Sequence, residues 1–392
     1  MMLFMSHDME QLLTESMLAA SLIATAASST SPRTRSSFDD SFHFHLGGPT
    51  WNLGNTSCPN SHVPCSPSFD DASWRHNLRV PHDFVVEQPI NKSFDPNHGA
   101  RATSNAWYRK TFDVPSKLRD SLTWLTFDGV FRDATVFVNG AVVAQHVEGY
   151  TSFRAWLHNA SIPLRYGAGG ANVLAVYLDA TQPELWCYEG GGIYRHVWLE
   201  SAGKVSVVPH GFHAPTVILG AISGTDPRAA QTTDSAGYFP RLDIANAGSK
   251  PAAIIVRLTI IRLDASKAVL LNATLPPATV GAYSFLRVEP GFGDPRSELA
   301  VPLSFGSRDV PVDLWNIARE PPLYAAAAIV TDAATGDVLD VVTVRIGVRD
   351  AVFDANRGFL LNGAQVKIKG TANHLGFGGV GVALPDRVVG ET

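Results

Sequence analysis

Residues able to do chemistry are few and scattered along this 392-residue chain. The densest group is Trp186, Tyr188 and Glu189, in a loop that runs into Gly190-Gly191-Gly192. Aromatic faces stack on the apolar side of a pyranose ring, and a carboxylate accepts hydrogen bonds from sugar hydroxyls, so the trio has the makings of a carbohydrate contact. The competing reading is that the aromatics pack a β core while the glycines allow close backbone approach. Adjacent carboxylates at Asp39-Asp40 and Asp70-Asp71 make no acid and base pair, because neighbours on a strand point to opposite faces. No Cys-x-x-Cys pair or His cluster has zinc spacing, so neither a metal nor another cofactor is expected. Of three cysteines, Cys58 and Cys65 either close a small disulfide loop around Pro59 and Pro64 or stay as thiols, and Cys187 is left over.

Such side chains need a scaffold, and the composition restricts what it can be. With 31 basic against 36 acidic residues the formal charge is −5, and no basic block appears, so nucleic acid is not an expected partner. The 20 Phe and 8 Trp spread along the length argue against disorder. The length suits two or three domains with cores of their own. All five Met fall within the first seventeen residues, which points to an uncertain start, with Met17 an alternative initiator. After it, Leu18 to Ala27 is small and apolar, too short to span a bilayer. It resembles a signal peptide except for the missing basic start. Asn-x-Ser/Thr sequons at Asn55, Asn91, Asn159 and Asn272 add to the case for secretion, with the cytoplasm as the alternative.

Residues 1–37 are Ser, Thr and Ala rich without period and are expected to be a poorly ordered leader or linker. From Phe38 onward, short alternating runs of β-branched and aromatic residues are separated by Gly, Pro, Asn and Asp, so an all-β fold is predicted. Thr135–Val138, Asn139-Gly140 and Ala141–Ala144 read as a hairpin on a type I′ turn. Further strands are expected at 107–112, 122–127, 173–179 and 196–200, with long loops at 46–70, 87–104 and 180–192. That spacing suits a jelly-roll sandwich over 38–203. A second set, at 239–245, 253–263, 267–273, 324–330 and 338–348, suits an immunoglobulin-like sandwich over 204–350, interrupted by a long loop at 289–302. After Asp350 a hairpin on Asn362-Gly363 feeds a strand expected to end at Gly370.

Six strings occur in one order: Trp74 with Leu78–Phe84; Trp107–Phe112; Phe127–Val130 followed by Val136–Gly140; Gly192–Arg195 with Val197–Leu199; Leu314-Trp315 with Pro322–Tyr324; and Gly358–Gly363 with Lys367–Gly370. Together they resemble glycoside hydrolases of family 2, the β-galactosidase and β-glucuronidase group. The resemblance implies a sugar-binding jelly roll, an immunoglobulin-like domain, and the first strand of a (β/α)₈ barrel beginning at 351–392. A barrel needs roughly 250 residues, so an incomplete one is expected. Family chemistry is retaining hydrolysis by two glutamates about 5 to 5.5 Å apart, on later barrel strands. Neither maps onto this chain, so no catalytic residue is assigned, and the chain alone is expected to be inactive. A β-glycoside is the substrate class implied for the intact enzyme. The resemblance also singles out His374, after the first barrel strand, as a sugar contact. Asp83, Arg195 and Asp128-Gly129 are expected to be structural, with Arg195 paired to a carboxylate or to carbonyls. The alternative from another class is a non-catalytic carbohydrate-binding or adhesion protein.

Overall fold

In the computed structural model, which describes residues 33–157, 164–169, 171–182, 188–289, 302–317, 320–372, 374 and 376–389, nearly every regular element is a strand in an antiparallel ladder. Among the described residues the one α-helix is the single turn Asp386–Val389. The chain forms two units, one of residues 33–202 with 372–392, the other of 203–371.

The first unit contains β1 (Thr34–Ser37), β2 (Phe42–Leu46), β3 (Arg75–Leu78), β4 (Asn105–Phe112), β5 (Leu122–Phe127), β6 (Ala134–Val138), β7 (Ala141–His146), β8 (Phe153–Trp156), β9 (Asn172–Asp179) and β10 (Val197–Ala202). They make a four-stranded sheet, β1-β10-β5-β8, and a six-stranded sheet, β3-β2-β4-β9-β6-β7. Side chains alternate across each strand. Ala106, Tyr108, Val136 and Val176 therefore meet Leu125, Phe127 and Val197 of the other sheet in one buried core. The opposite face of β4 is covered as well. Trp107 joins Trp51, Trp74, Cys65 and Phe137 in a smaller core beneath the loop that follows β2. Arg109, on that face, donates to the carbonyls of Pro64 and Ser66 and to Asp71, so a buried guanidinium organises the loop. A disulfide joins Cys58 to Cys65 within it.

In the second unit the ladder Val269–Thr274, Ala252–Arg262, Tyr324–Asp332, Val338–Ile346 shares its core with the ladder Val205–His213, Arg241–Asn246, Ser284–Val288. Ile254, Val256, Leu258, Ala326 and Ala328 meet Val207, Leu242 and Ile244 there.

Both predicted turns form as hairpins. Asn139 and Gly140 have φ of 50° and 86°, and Asn362 and Gly363 have 49° and 79°. Two expectations fail. Thr34–Ser37, placed in the leader, is a strand along β10; its four side chains are exposed, so backbone pairing holds it and no apolar pattern announces it. Residues 366–370 form no strand. Val366 N–H donates to Phe359 O, and beyond it Ile368 is 62% exposed. Alternating Val and Ile favour extension, but a strand exists through its ladder partners, and the described residues supply none here. Of the long loop predicted at 289–302, residues 290–301 lie outside the described residues.

Candidate functional site

The loop that carries Tyr188 and Glu189 is fixed by one carboxylate. Asp83 Oδ1 accepts from the backbone N–H groups of Val85 (2.9 Å), Val86 (3.4 Å) and Gly191 (3.1 Å). Its Oδ2 accepts from Tyr188 Oη (2.8 Å) and from Val382 N–H (3.0 Å). A carboxylate offers about four lone-pair sites, so Asp83 is fully engaged. It joins the turn after Pro81, the loop before β10 and the segment 381–383. Burial raises its pKa, and the donors offset this only in part. Close approach requires glycine at two points. Gly190 has φ +71°, and a Cβ there would lie 2.5 Å from Val382 Cγ2. Gly381 has φ +61°, and a Cβ would fall on Asp83 Oδ2.

Tyr188 is half-buried against the main core, its ring facing Gly376. Glu189 is enclosed, with Oε2 3.2 Å from Nε2 of the equally buried His98. Its carboxylate thus braces the loop from within. His374 is exposed, two residues before Gly376. Trp186 and Cys187 lie outside the described residues. The structure therefore brings Tyr188, Gly191 and Gly381-Val382 together around Asp83, with Gly376 against the Tyr188 ring, while Glu189 is turned to His98. Arg195 differs from expectation. Its side chain is exposed with the guanidinium 5.7 Å from the Tyr194 ring, because it sits where the chain leaves the core for β10.

Two histidines brace the same region, His82, which the sequence placed with Asp83 in the turn after Pro81, and His196, which it did not single out. His196 Nδ1 lies 2.7 Å from Asp39 Oδ2, and its Nε2 lies 3.0 Å from Asp386 Oδ1. Hydrogen bonding to Asp39, against the cost of burial and helped by Asp386, raises it to about 9. His82 Nδ1 lies 2.7 Å from Tyr108 Oη, with Nε2 3.3 Å from Glu87. Burial lowers His82 to about 4, partly opposed by Glu87. The partners of His196 lie 157 and 190 positions away in sequence, which no local motif reveals.

Antiparallel sheets packed around buried cores, with one glycine-rich loop pinned by Asp83, make this an all-β protein. Residues 84–184 match the family model described as glycosyl hydrolase 2 galactose-binding domain-like. A β-galactosidase of Bacteroides ovatus is 28% identical over 369 residues, which is 93% of this chain and 37% of that protein. A β-galactosidase of Thermoanaerobacter pseudethanolicus is 27% identical over 316 residues, 78% of this chain and 36% of that one. The fold is shared with a solved β-glucuronidase 2 of Bacteroides uniformis at a TM-score of 0.69 and 21% identity, over 91% of this chain and 37% of that one. The chain is similar to the N-terminal part of glycoside hydrolases of family 2 and spans a little over a third of the length of these relatives.

Proposed function

We propose that the chain serves as the N-terminal β part of a retaining β-glycosidase of the β-galactosidase type, whose proton-donating and nucleophilic glutamates belong to a (β/α)₈ barrel outside these residues. The observation that carries this reading is the likeness to the Bacteroides ovatus β-galactosidase, which runs along 93% of this chain yet covers 37% of the relative. In this reading the first unit is a jelly roll, the second is immunoglobulin-like, and residues 351–392 lead into the barrel. The Asp83 network fixes the loop at the barrel mouth. Exposed His374 is the sugar contact in this reading, with Trp186 and Tyr188 further candidates from the sequence, while Glu189 keeps the loop in place through His98. Sequencing the transcript past codon 392 tests this: a continuing frame with two family-type glutamates is expected, and a continuing frame without them contradicts it.

A second reading, a carbohydrate-binding protein without catalysis, is favoured by the galactose-binding description of residues 84–184. It requires the first unit alone to hold a sugar, so calorimetry of the chain with galactose and β-galactosides at millimolar concentration separates the two. Secretion is part of the proposal. It is supported by the Cys58–Cys65 disulfide and by the exposure of the sequon residues Asn55, Asn91 and Asn272, while Asn159 lies outside the described residues. Among the described residues no helix is long and apolar enough to cross a membrane.

A further inference from the structure

The strand Val269–Thr274 lies at the edge of the larger ladder of the second unit. It pairs with Ala252–Arg262 on one side, and among the described residues no strand pairs with its other side. An edge strand leaves a row of N–H and C=O groups open to a further chain, and proteins guard such edges with charges, proline, bulges or cover. Here the ladder has one bulge, between Ile260 and Ile261. The run Ala268–Leu275, however, holds no charged residue and no proline; Lys267 and Pro276 stand just outside it. Val269 is 58% exposed. An uncharged run of high β propensity on an open edge is the kind that pairs with a second copy of itself.

The run contains just two polar residues, Asn272 and Thr274, and these are the two that an Asn-x-Thr sequon requires. Leu271 and Ala273 pair with Ile260 and Leu258, whose side chains lie in the core, so they turn inward. Asn272 and Thr274 alternate with them and are exposed on the opposite face. Both sequon side chains therefore leave the sheet on one side of its open edge strand. The other exposed sequon residues are placed differently. Asn91 Oδ1 accepts from Ser93 N–H (3.0 Å) and Ser93 Oγ (2.9 Å), and neither Asn91 nor Asn55 lies on a strand.

We propose that Asn272 carries an N-linked glycan and that this glycan guards the open edge of the sheet. The proposal rests on the secretion proposed for this chain. In the transfer, Asn272 Nδ2 attacks the anomeric carbon of an oligosaccharide held on a lipid diphosphate. A C–N bond forms, the C–O bond to the diphosphate breaks, the diphosphate leaves with the electron pair, and the amide gives up one proton. A bulky, hydrated chain of sugars fixed at Asn272 then blocks the approach of a second strand, where other edges use a charge.

The site is tested on the full chain with its own N-terminus, produced in a eukaryotic host. Peptide N-glycosidase in ¹⁸O-water marks each glycosylated Asn as labelled Asp in peptide mass spectra. Label at Asn272 is expected. Label at Asn55 or Asn91 without Asn272 would overturn the proposal and leave secretion standing, whereas no label at any sequon would overturn both. The guarding role is read by light scattering after size exclusion. Asn272→Gln and Thr274→Ala each abolish the sequon and should raise the share of larger species several-fold, while Asn91→Gln should match the wild type. Asn272→Lys bears no glycan but puts a charge on the edge, so it should restore the wild-type profile. These positions are exposed, so the fold should persist, which circular dichroism checks. Wild-type profiles for both Asn272→Gln and Thr274→Ala would overturn the guarding role.

Discussion

Asp83 bears the heaviest structural duty of any single residue near the candidate site. Replacing it by Ala strips acceptors from four backbone N–H groups and the Tyr188 hydroxyl in a buried setting. The expected cost is about 3–5 kcal/mol, read as a lower urea midpoint, with faster amide exchange at Gly191 and Val382. A loss below about 1 kcal/mol would show that the loop is held by packing instead. His196 adds a pH dependence of definite sign. Its folded value of about 9 lies above the ordinary 6.5, so its contribution is complete below pH 6.5 and disappears as pH rises through 9. The ring is partly exposed, so solvent screening limits the effect to on the order of 1 kcal/mol. Urea midpoints between pH 6 and 9.5 should fall more steeply for the wild type than for His196→Gln. His82 acts at the other end. Its folded value of about 4 means that stability holds above pH 6.5 and declines as pH falls towards 4. His82→Gln should flatten that acid limb.

At the scale of elements, the loop between β2 and β3 closes a second small core over β4. The disulfide spans a short segment, separation 7, so its loss by Cys65→Ser should cost about 2–3 kcal/mol in the chain-entropy account. An unchanged melting temperature would contradict this. Elements with their own local signal were legible in the sequence. Leu122–Phe127 was predicted at its observed bounds, and Asn-Gly turns identified both hairpins, because only certain residues tolerate positive φ at such turns. What was hidden depends on distant partners. β1 has four exposed side chains and is held by backbone pairing to β10, some 160 residues away. Residues 366–370 carry a strand-like pattern yet find no ladder among the described residues. Of the candidate site, Tyr188 and Glu189 were legible as chemistry-bearing residues in a glycine-rich loop. Their ties to Asp83 and His98 were not, since each crosses about a hundred positions.

For the molecule as a whole, the two units bury separate cores and together match the N-terminal domains of much longer glycosidases. The carboxylates nearest the glycine-rich loop, Asp83 and Glu189, are enclosed and committed to structural partners. Retaining hydrolysis needs a proton donor and a nucleophile about 5 to 5.5 Å apart at a sugar, and the proposal ascribes both to a barrel that the described residues do not form. The most direct test is the release of nitrophenol from a chromogenic β-galactoside by the purified 392-residue chain. No turnover above the uncatalysed rate is predicted. Turnover that disappears when one of the chain's own glutamates is changed to glutamine would contradict the account.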